Sequence, residues 1–265
     1  MGMKVIRDAT AMQRWALRMR EKRRRLALVP TMGALHQGHE MLIRRAREQA
    51  DCLIVSLYVN PTQFAPNEDF NRYPRTEEAD RRLCRRLGVD VLFCPDTLYA
   101  EDSSTWVEEV VCSRGRCGTF RQGHFKGVAT VVTKLFLICQ PHLAYFGEKD
   151  AQQLDVIRRV VRDLYFPIKI VSVPTVRDAD GVALSSRNLY LSDAEREDAR
   201  IFAKLLKEAA QKKNATSWFK RNLSKRKGIR LEYVEIAQGR LCAAVYVGRT
   251  RLIDNVPIKA LGEKL

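Results

Sequence analysis

Val29-Pro30-Thr31-Met32-Gly33-Ala34-Leu35-His36-Gln37-Gly38-His39 is the stretch that decides the fold. The apolar run 26–29 leads into it, and a helical rhythm of Met41, Leu42, Ala46 and Ala50 among charges follows it. The order is strand, glycine-bearing turn, helix. His36 and His39 stand three residues apart at the helix mouth, and i, i+3 positions share one helix face. A helix N-terminus presents unpaired N–H groups and the positive end of a dipole, which suits phosphate. Histidine can also donate a hydrogen bond to charge developing on an α-phosphate. His-x-Gly-His is therefore a candidate nucleotide site. The plainer alternative is a solvent-exposed pair on an ordinary helix.

Working outward, the spacing predicts a helix over 8–22 with Asp8 or Thr10 as N-cap. Residues 52–59 form a near-continuous apolar run, as a strand buried on both faces requires. A polar loop over 63–74 precedes a helix over 76–87 capped by Thr76, and residues 89–93 read as a strand. The segment 94–123 is irregular, with edge strands expected around 107–112. Helix 127–139, strand 143–146, helix 150–164 and strand 168–173 follow. Strands alternating with helices imply right-handed crossovers and an α/β, Rossmann-like, doubly wound parallel sheet. Ligands of such sheets bind beyond the carboxyl ends of the strands.

After Pro174 the pattern changes. A loop spans 176–188 and a helix 193–213; residues 211–230 are basic and ambiguous, and short strands fall at 231–236, 241–247 and 252–253. Two domains are expected: 1–174, and a small α+β domain over 175–265.

Composition narrows the function. The 265 residues are 46% hydrophobic, so a sizeable core is available. No apolar run reaches the length of a membrane span, and the N-terminus lacks a basic-then-apolar leader, so a cytoplasmic location is expected. The seven cysteines are odd in number and lack a Cys-x-x-Cys, which favours reduced, buried thiols over a zinc site. The net charge of +16 invites nucleic acid or an anionic small substrate. Its excess lies in 14–25 and 204–230, where no recognition motif accompanies it, so no nucleic-acid partner is expected.

Three further groups sit where ligands should bind. Gly147-Glu148-Lys149-Asp150 follows a strand and opens a helix; the lysine can neutralise phosphate, and the aspartate can meet a ribose hydroxyl or cap the helix. Of Gln152 and Gln153 behind it, one is expected in the cleft and the other in solvent. Leu184-Ser185-Ser186-Arg187 is a hydroxylated, basic loop fit to fold over a triphosphate. Asn60, Gln63 and Tyr73, at a strand end, can meet a small polar substrate or merely hold a loop.

In this order, the motifs resemble one family. The matching text is Pro30-Thr-Met-Gly-Ala-Leu-His-Gln-Gly-His39, Val59-Asn-Pro-Thr-Gln-Phe64, Glu68-Asp69 with Tyr73-Pro-Arg-Thr76, Gly123-His-Phe-Lys-Gly-Val128, Phe146-Gly-Glu-Lys-Asp-Ala-Gln-Gln-Leu154, Leu184-Ser-Ser-Arg-Asn188 and Thr250-Arg-Leu-Ile-Asp-Asn255. The chain resembles the pantothenate synthetases, the pantoate–β-alanine ligases of bacteria and plants.

The resemblance implies an HxGH-type nucleotide-binding fold with a lid-like C-terminal domain, a homodimer, and ATP with Mg²⁺. It implies that pantoate attacks the α-phosphate of ATP, giving pantoyl adenylate and pyrophosphate, and that β-alanine then displaces AMP. Carried over, Met32, Gly33, Ala34, Leu35, His36, Gln37, Gly38 and His39 hold ATP, with His39 at the proton-donor position. Gly147, Glu148, Lys149, Asp150, Val176, Leu184, Ser185, Ser186 and Arg187 complete that site. His36, His39 and Lys149 are the catalytic candidates. Gln63 and Gln153 grip pantoate, Gln63 also lies near β-alanine, and Asp80 is the candidate magnesium-side carboxylate. Asn60, Tyr73, Arg121 and His124 are expected to contribute around them. The chain departs from the family's run over 112–122, carries Lys126 for a usual arginine, and is short after residue 208. The alternatives are another HxGH nucleotidyltransferase, which would lack the Gln63–Gln153 pair, and a nucleic-acid-binding protein without catalysis.

Overall fold

The computed structural model describes residues 2–258. Its frame is a six-stranded sheet, parallel throughout, of β1 (Lys4–Ile6), β2 (Leu26–Thr31), β3 (Cys52–Leu57), β4 (Val91–Phe93), β5 (Leu143–Gly147) and β6 (Lys169–Val173). The order across the sheet is β1-β4-β3-β2-β5-β6. From β2 the chain winds outward through β3 and β4, then returns to place β5 on the other flank of β2. The order therefore reverses between β2 and β5, and the loops after these two strands open onto one crevice.

Period-two alternation splits the strand residues between two cores. Leu26 and Leu28 join Met12, Trp15, Val128, Phe136 and Ile157 on the face covered by α1 (Ala9–Glu21), α5 (His124–Cys139) and α6 (Ala151–Asp163). Ala27 and Val29 join Leu42, Ile43, Cys84 and Leu92 on the face covered by α2 (Gln37–Arg47) and α3 (Glu77–Arg86). Asp8 caps α1 by accepting the Ala11 N–H at 2.6 Å, so Thr10 lies inside the helix.

Three expectations need correction. No strand forms around 107–112. That segment is pinned by side chains: Val107 N–H donates to Thr130 Oγ1 at 3.0 Å, and the Glu109 carboxylate accepts from the N–H groups of Val111, Cys112 and Ser113. Within the irregular stretch lies α4 (Arg116–Phe120), entered through left-handed backbone at Gly115 (φ 69°) and Arg116 (φ 46°). Strand β1 was not anticipated; three residues at a sheet edge, two half-buried, carry too little pattern.

The remainder is the expected small α+β unit. Its α7 (Asp193–Ala209) starts at a Ser192–Glu195 capping box. The ambiguous basic stretch holds α8 (Ala215–Leu223), which buries Ala215, Phe219 and Leu223. Both helices cover an antiparallel sheet of β7 (Ile229–Ala237), β8 (Arg240–Val247) and β9 (Thr250–Pro257). The short step between β7 and β8 is a two-residue hairpin, with Gln238 (φ 47°) and Gly239 (φ 70°) both left-handed as a type I′ turn requires. Phe202, Leu206, Phe219, Leu241 and Val245 form a separate core. Cys117, Phe125, Val156, Tyr233 and Ala244 weld the two sheets' supporting elements together. All seven cysteines are free thiols, and burial pushes Cys84 and Cys94 up to about 12. Among the described residues no helix is long and apolar enough to cross a membrane.

Candidate active site

The loop between β2 and α2 is a tight left-handed turn at Gly33 (φ 86°) and Ala34 (φ 50°). One carboxylate holds it. Asp80 Oδ2 accepts the Ala34 N–H and Oδ1 the Leu35 N–H, both at 2.9 Å, while Thr76 Oγ1 approaches both oxygens at 3.3 Å. This corrects one expectation. The Thr76 hydroxyl makes no backbone cap on α3. Asp80 does not line the crevice of His36 and His39, and each of its oxygens accepts a backbone N–H of the loop.

The two histidines cap α2 reciprocally. His36 Nδ1 accepts the Gly38 N–H at 3.1 Å, and His39 Nδ1 accepts the His36 N–H at 3.3 Å. A ring nitrogen that accepts carries no hydrogen, so each neutral imidazole bears its hydrogen on Nε2. The rings stand 4.1 Å apart between centroids. Burial, with Lys149 nearby, pushes His36 down to about 4. Burial, then His36 and Lys149, pushes His39 down to about 3. At neutral pH both rings are therefore neutral, and each offers its Nε2–H as a hydrogen-bond donor.

Opposite them, after β5, Lys149 sits on one turn of 3-10 helix over Glu148–Asp150. Its ammonium is 19% exposed on its side chain and 4.0 Å from Asp150. Asn255 Nδ2 fixes this turn by donating to the Glu148 and Lys149 carbonyls, each at 2.9 Å. Asn255 belongs to a quoted motif, but its reach to residue 149 was not legible from spacing. Glu148 turns outward to Arg240 at 3.5 Å. Asp150 faces the crevice and makes no cap on α6.

Gln63 and Gln153 both line the crevice. Gln63 accepts from Asn60 Nδ2 at 3.1 Å through Oε1, and its Nε2 faces the Met32 sulfur at 3.1 Å. That leaves the amide N–H side turned to the cavity, held only by a weak acceptor. Asn60 is buried and also bonds Gly127 O and Tyr99. His124 lies 2.8 Å from Gln63 O through Nδ1 and accepts Arg121 through Nε2 at 2.9 Å; because a carbonyl only accepts, its hydrogen sits on Nδ1. Gln152 corrects an expectation. It is buried, not solvent-facing: Nε2 donates to the carbonyls of Cys112, Arg114 and Gly115, and Oε1 accepts the Cys117 N–H. The Gln152 amide thus holds residues 112–117 of the atypical segment, beside the Glu109 carboxylate and the Arg116–Asp155 and Arg121–Glu68 pairs.

The 184–187 loop closes the crevice. Leu184 N–H pairs with Val176 O, and both residues line the wall. Ser185 accepts the Arg187 N–H at 3.3 Å, and Ser186 Oγ donates to Ala34 O at 3.1 Å. Arg187 is paired with Asp69. Met32, Gly38, Gly147 and Arg187 also line the crevice; Gly33, Ala34, Leu35, Gln37 and Glu148 do not. Lys126 turns away and lies 5.6 Å from the Trp106 ring. A cation, two N–H-bearing imidazoles and two primary amides thus converge on one space.

Comparison with known proteins adds an independent finding. The family profile described as pantoate-beta-alanine ligase matches residues 4–257. Pantothenate synthetase of Thermotoga petrophila is 45% identical over 277 residues, spanning 96% of this chain and 99% of that protein. That of Moorella thermoacetica is 44% identical over 288 residues, spanning 97% and 99%. The crystal structure of the pantothenate synthetase from Thermus thermophilus superposes with a TM-score of 0.91 at 39% identity, covering 97% of this chain and all of that one. A Francisella tularensis pantoate-beta-alanine ligase, solved in complex with beta-gamma ATP and beta-alanine, gives 0.87 at 34% identity over 97% and 98%.

Proposed function

The chain belongs to the pantoate–β-alanine ligase family, and from that premise we propose how its residues divide the work. The enzyme joins pantoate to β-alanine with ATP, through pantoyl adenylate, releasing pyrophosphate and AMP. The pantoate carboxylate attacks the α-phosphorus, and the bond to pyrophosphate breaks. The β-alanine amine then attacks the acyl carbon, and the acyl–oxygen bond to AMP breaks. Charge builds on phosphate oxygens in the first step, and preorganised donors lower that barrier.

In our reading Lys149 and the Nε2–H groups of His36 and His39 meet those oxygens. Gln63 and Gln153 hold the pantoate carboxylate and hydroxyls, and Gln63 stays beside the incoming β-alanine. Met32, Gly38, Gly147, Asp150, Val176, Leu184, Ser185 and Arg187 enclose ATP. Gly33, Ala34, Leu35 and Ser186 act through the shape of the loop. Asn60, Arg121 and His124 position Gln63, since all three bond it. The observation that carries the reading is the fixed tautomer of two half-buried histidines that share one crevice with a half-buried lysine.

Among the described residues no cluster of His, Cys, Asp or Glu forms a metal cage, so Mg²⁺ enters as part of the MgATP substrate, held by phosphate oxygens and water. We take 1–174 and 175–265 as the two working units. We also take the enzyme as a cytoplasmic homodimer. Its free thiols suit a reducing compartment, and the unpaired 107–111 segment exposes Val110 and Val111 for a second copy.

Exchange of labelled pyrophosphate into ATP, dependent on pantoate, isolates the first step. His39→Ala and Lys149→Ala should each slow it about 100-fold or more with the fold intact. Exchange that survives both substitutions would sink these roles.

A further inference from the structure

Glu68 and Asp69 are adjacent carboxylates, and each grips an arginine from a different wall of the crevice. Glu68 takes Arg121 through Nε and Nη2, both at 2.6 Å. Asp69 takes Arg187 through Nε and Nη2, both at 2.8 Å. The two arginines are left in different states. Arg121 gives its remaining nitrogen, Nη1, to His124, so its guanidinium is fully engaged. Arg187 Nη1 has no partner among the described residues, although the side chain is only 25% exposed. The Tyr73 ring lies 5.8 Å from its guanidinium carbon, and Ser185 holds its backbone N–H. Arg187 also stands on the wall shared by the crevice and the neighbouring opening toward the C-terminal sheet.

We propose that Asp69 is a positioning residue for adenylation: it fixes one edge of the Arg187 guanidinium so that Nη1 meets the ATP triphosphate, and it stays bound through turnover. The proposal rests on the reading that Arg187 contacts phosphate. A planar guanidinium can serve a carboxylate on one edge and a phosphate on another, so the two contacts need not compete. Burial alone would raise the Asp69 carboxyl, but the hydrogen bonds and charge of Arg187 outweigh it and keep Asp69 ionised at neutral pH. The opposite arrangement is a latch, in which Asp69 occupies Arg187 and must release it before ATP binds. The two differ in sign: removing the charge of Asp69 harms a positioned arginine and frees a latched one.

The test is pyrophosphate exchange into ATP with full-length Asp69→Asn, Asp69→Glu, Arg187→Ala, the Asp69→Asn/Arg187→Ala double variant and Glu68→Gln. Positioning predicts a KM for ATP raised about tenfold in Asp69→Asn with the KM for pantoate unchanged, and an intermediate value in Asp69→Glu. The double variant should be no worse than Arg187→Ala alone. Glu68→Gln, which loosens Arg121 and so Gln63, should raise the KM for pantoate and spare that for ATP. An unchanged or lowered KM for ATP in Asp69→Asn overturns the proposal in favour of a latch. A raised KM for ATP in Glu68→Gln also overturns it, because a merely disturbed loop would explain both. If Asp69→Asn fails to fold, Asp69→Glu decides by the same KM split. Unimpaired exchange in Arg187→Ala removes the phosphate contact and the proposal with it. Impaired Arg187→Ala beside normal Asp69→Asn removes the proposal alone.

Discussion

Ser186 Oγ donates to the Ala34 carbonyl at 3.1 Å, joining residues 152 apart in the chain. The bond ties the loop after β6 to the turn that launches the two histidines, so both walls of the crevice share one buried contact. Ser186→Ala should cost about 1 kcal/mol of stability, since a buried carbonyl loses its donor. It should raise the KM for ATP more than that for pantoate. Urea unfolding and pyrophosphate exchange measure the two effects; equal KM changes for both substrates would argue against a wall-closing role.

Acid should destabilise this chain through its histidines. Unfolded imidazoles take a proton near 6.5, whereas burial holds folded His36 near about 4 and His39 near about 3. Above 6.5 both states are neutral and nothing is lost. Below it the unfolded chain binds protons that the folded chain refuses, so stability falls by ~1.4 kcal/mol per pH unit per histidine. Denaturation midpoints at pH 7.5, 6.0 and 5.0 should decline, and His39→Gln should flatten the decline. Adenylation should show no inflection near 6.5 from either ring.

Two helical glycines should respond in opposite ways to alanine. At Gly127 a Cβ would meet the Thr62 carbonyl oxygen at 2.4 Å and Gln63 N at 2.7 Å, backbone against backbone. Gly127→Ala should destabilise by about 2–4 kcal/mol and weaken pantoate binding. At Gly38 a Cβ would meet the His36 ring at 2.9 Å, and a ring can shift. The gain in helix propensity, up to ~1 kcal/mol, should then roughly offset the contact. Gly38→Ala should keep its melting temperature and lose at least about tenfold in exchange rate, because the displaced ring is a phosphate donor. A Gly38→Ala enzyme of normal rate would show that the His36 ring position is unimportant.

Asp80→Asn separates anchor from ligand. An amide would turn N–H toward the Ala34 or Leu35 N–H, so the turn should loosen and exchange should fall about tenfold or more. The Mg²⁺ concentration giving half-maximal rate should stay where it is. A large rightward shift in that Mg²⁺ titration would restore Asp80 to the metal.

The legible parts of this molecule are those governed by local rules. The run that became β3 and the turn before α2 declare themselves, because two-sided burial demands unbroken apolar residues and tight turns demand glycine. The rest depends on distant partners. The segment 107–112 has strand composition, yet Thr130 and Glu109 satisfy its backbone before any strand can. The lead into helix α4 is held by Gln152, about 35 residues on, which takes the Arg114 and Gly115 carbonyls and the Cys117 N–H. Of the site, Gly-Glu-Lys-Asp pointed correctly to Lys149 in the crevice, while nothing local said that Glu148 would turn outward to Arg240. Asp80 entered through the family resemblance alone; nothing local showed that it would accept backbone N–H groups 45 and 46 residues upstream.

The seven thiols have a practical use. None is exposed, and burial disfavours the reactive thiolate of Cys84, Cys94, Cys139 and Cys242. Cys84 and Cys139 lie on opposite faces of the parallel sheet, and Cys242 belongs to the antiparallel one. Timed alkylation read by mass spectrometry would therefore record, site by site and without any introduced label, which part of the enzyme opens first and how far substrates slow that opening.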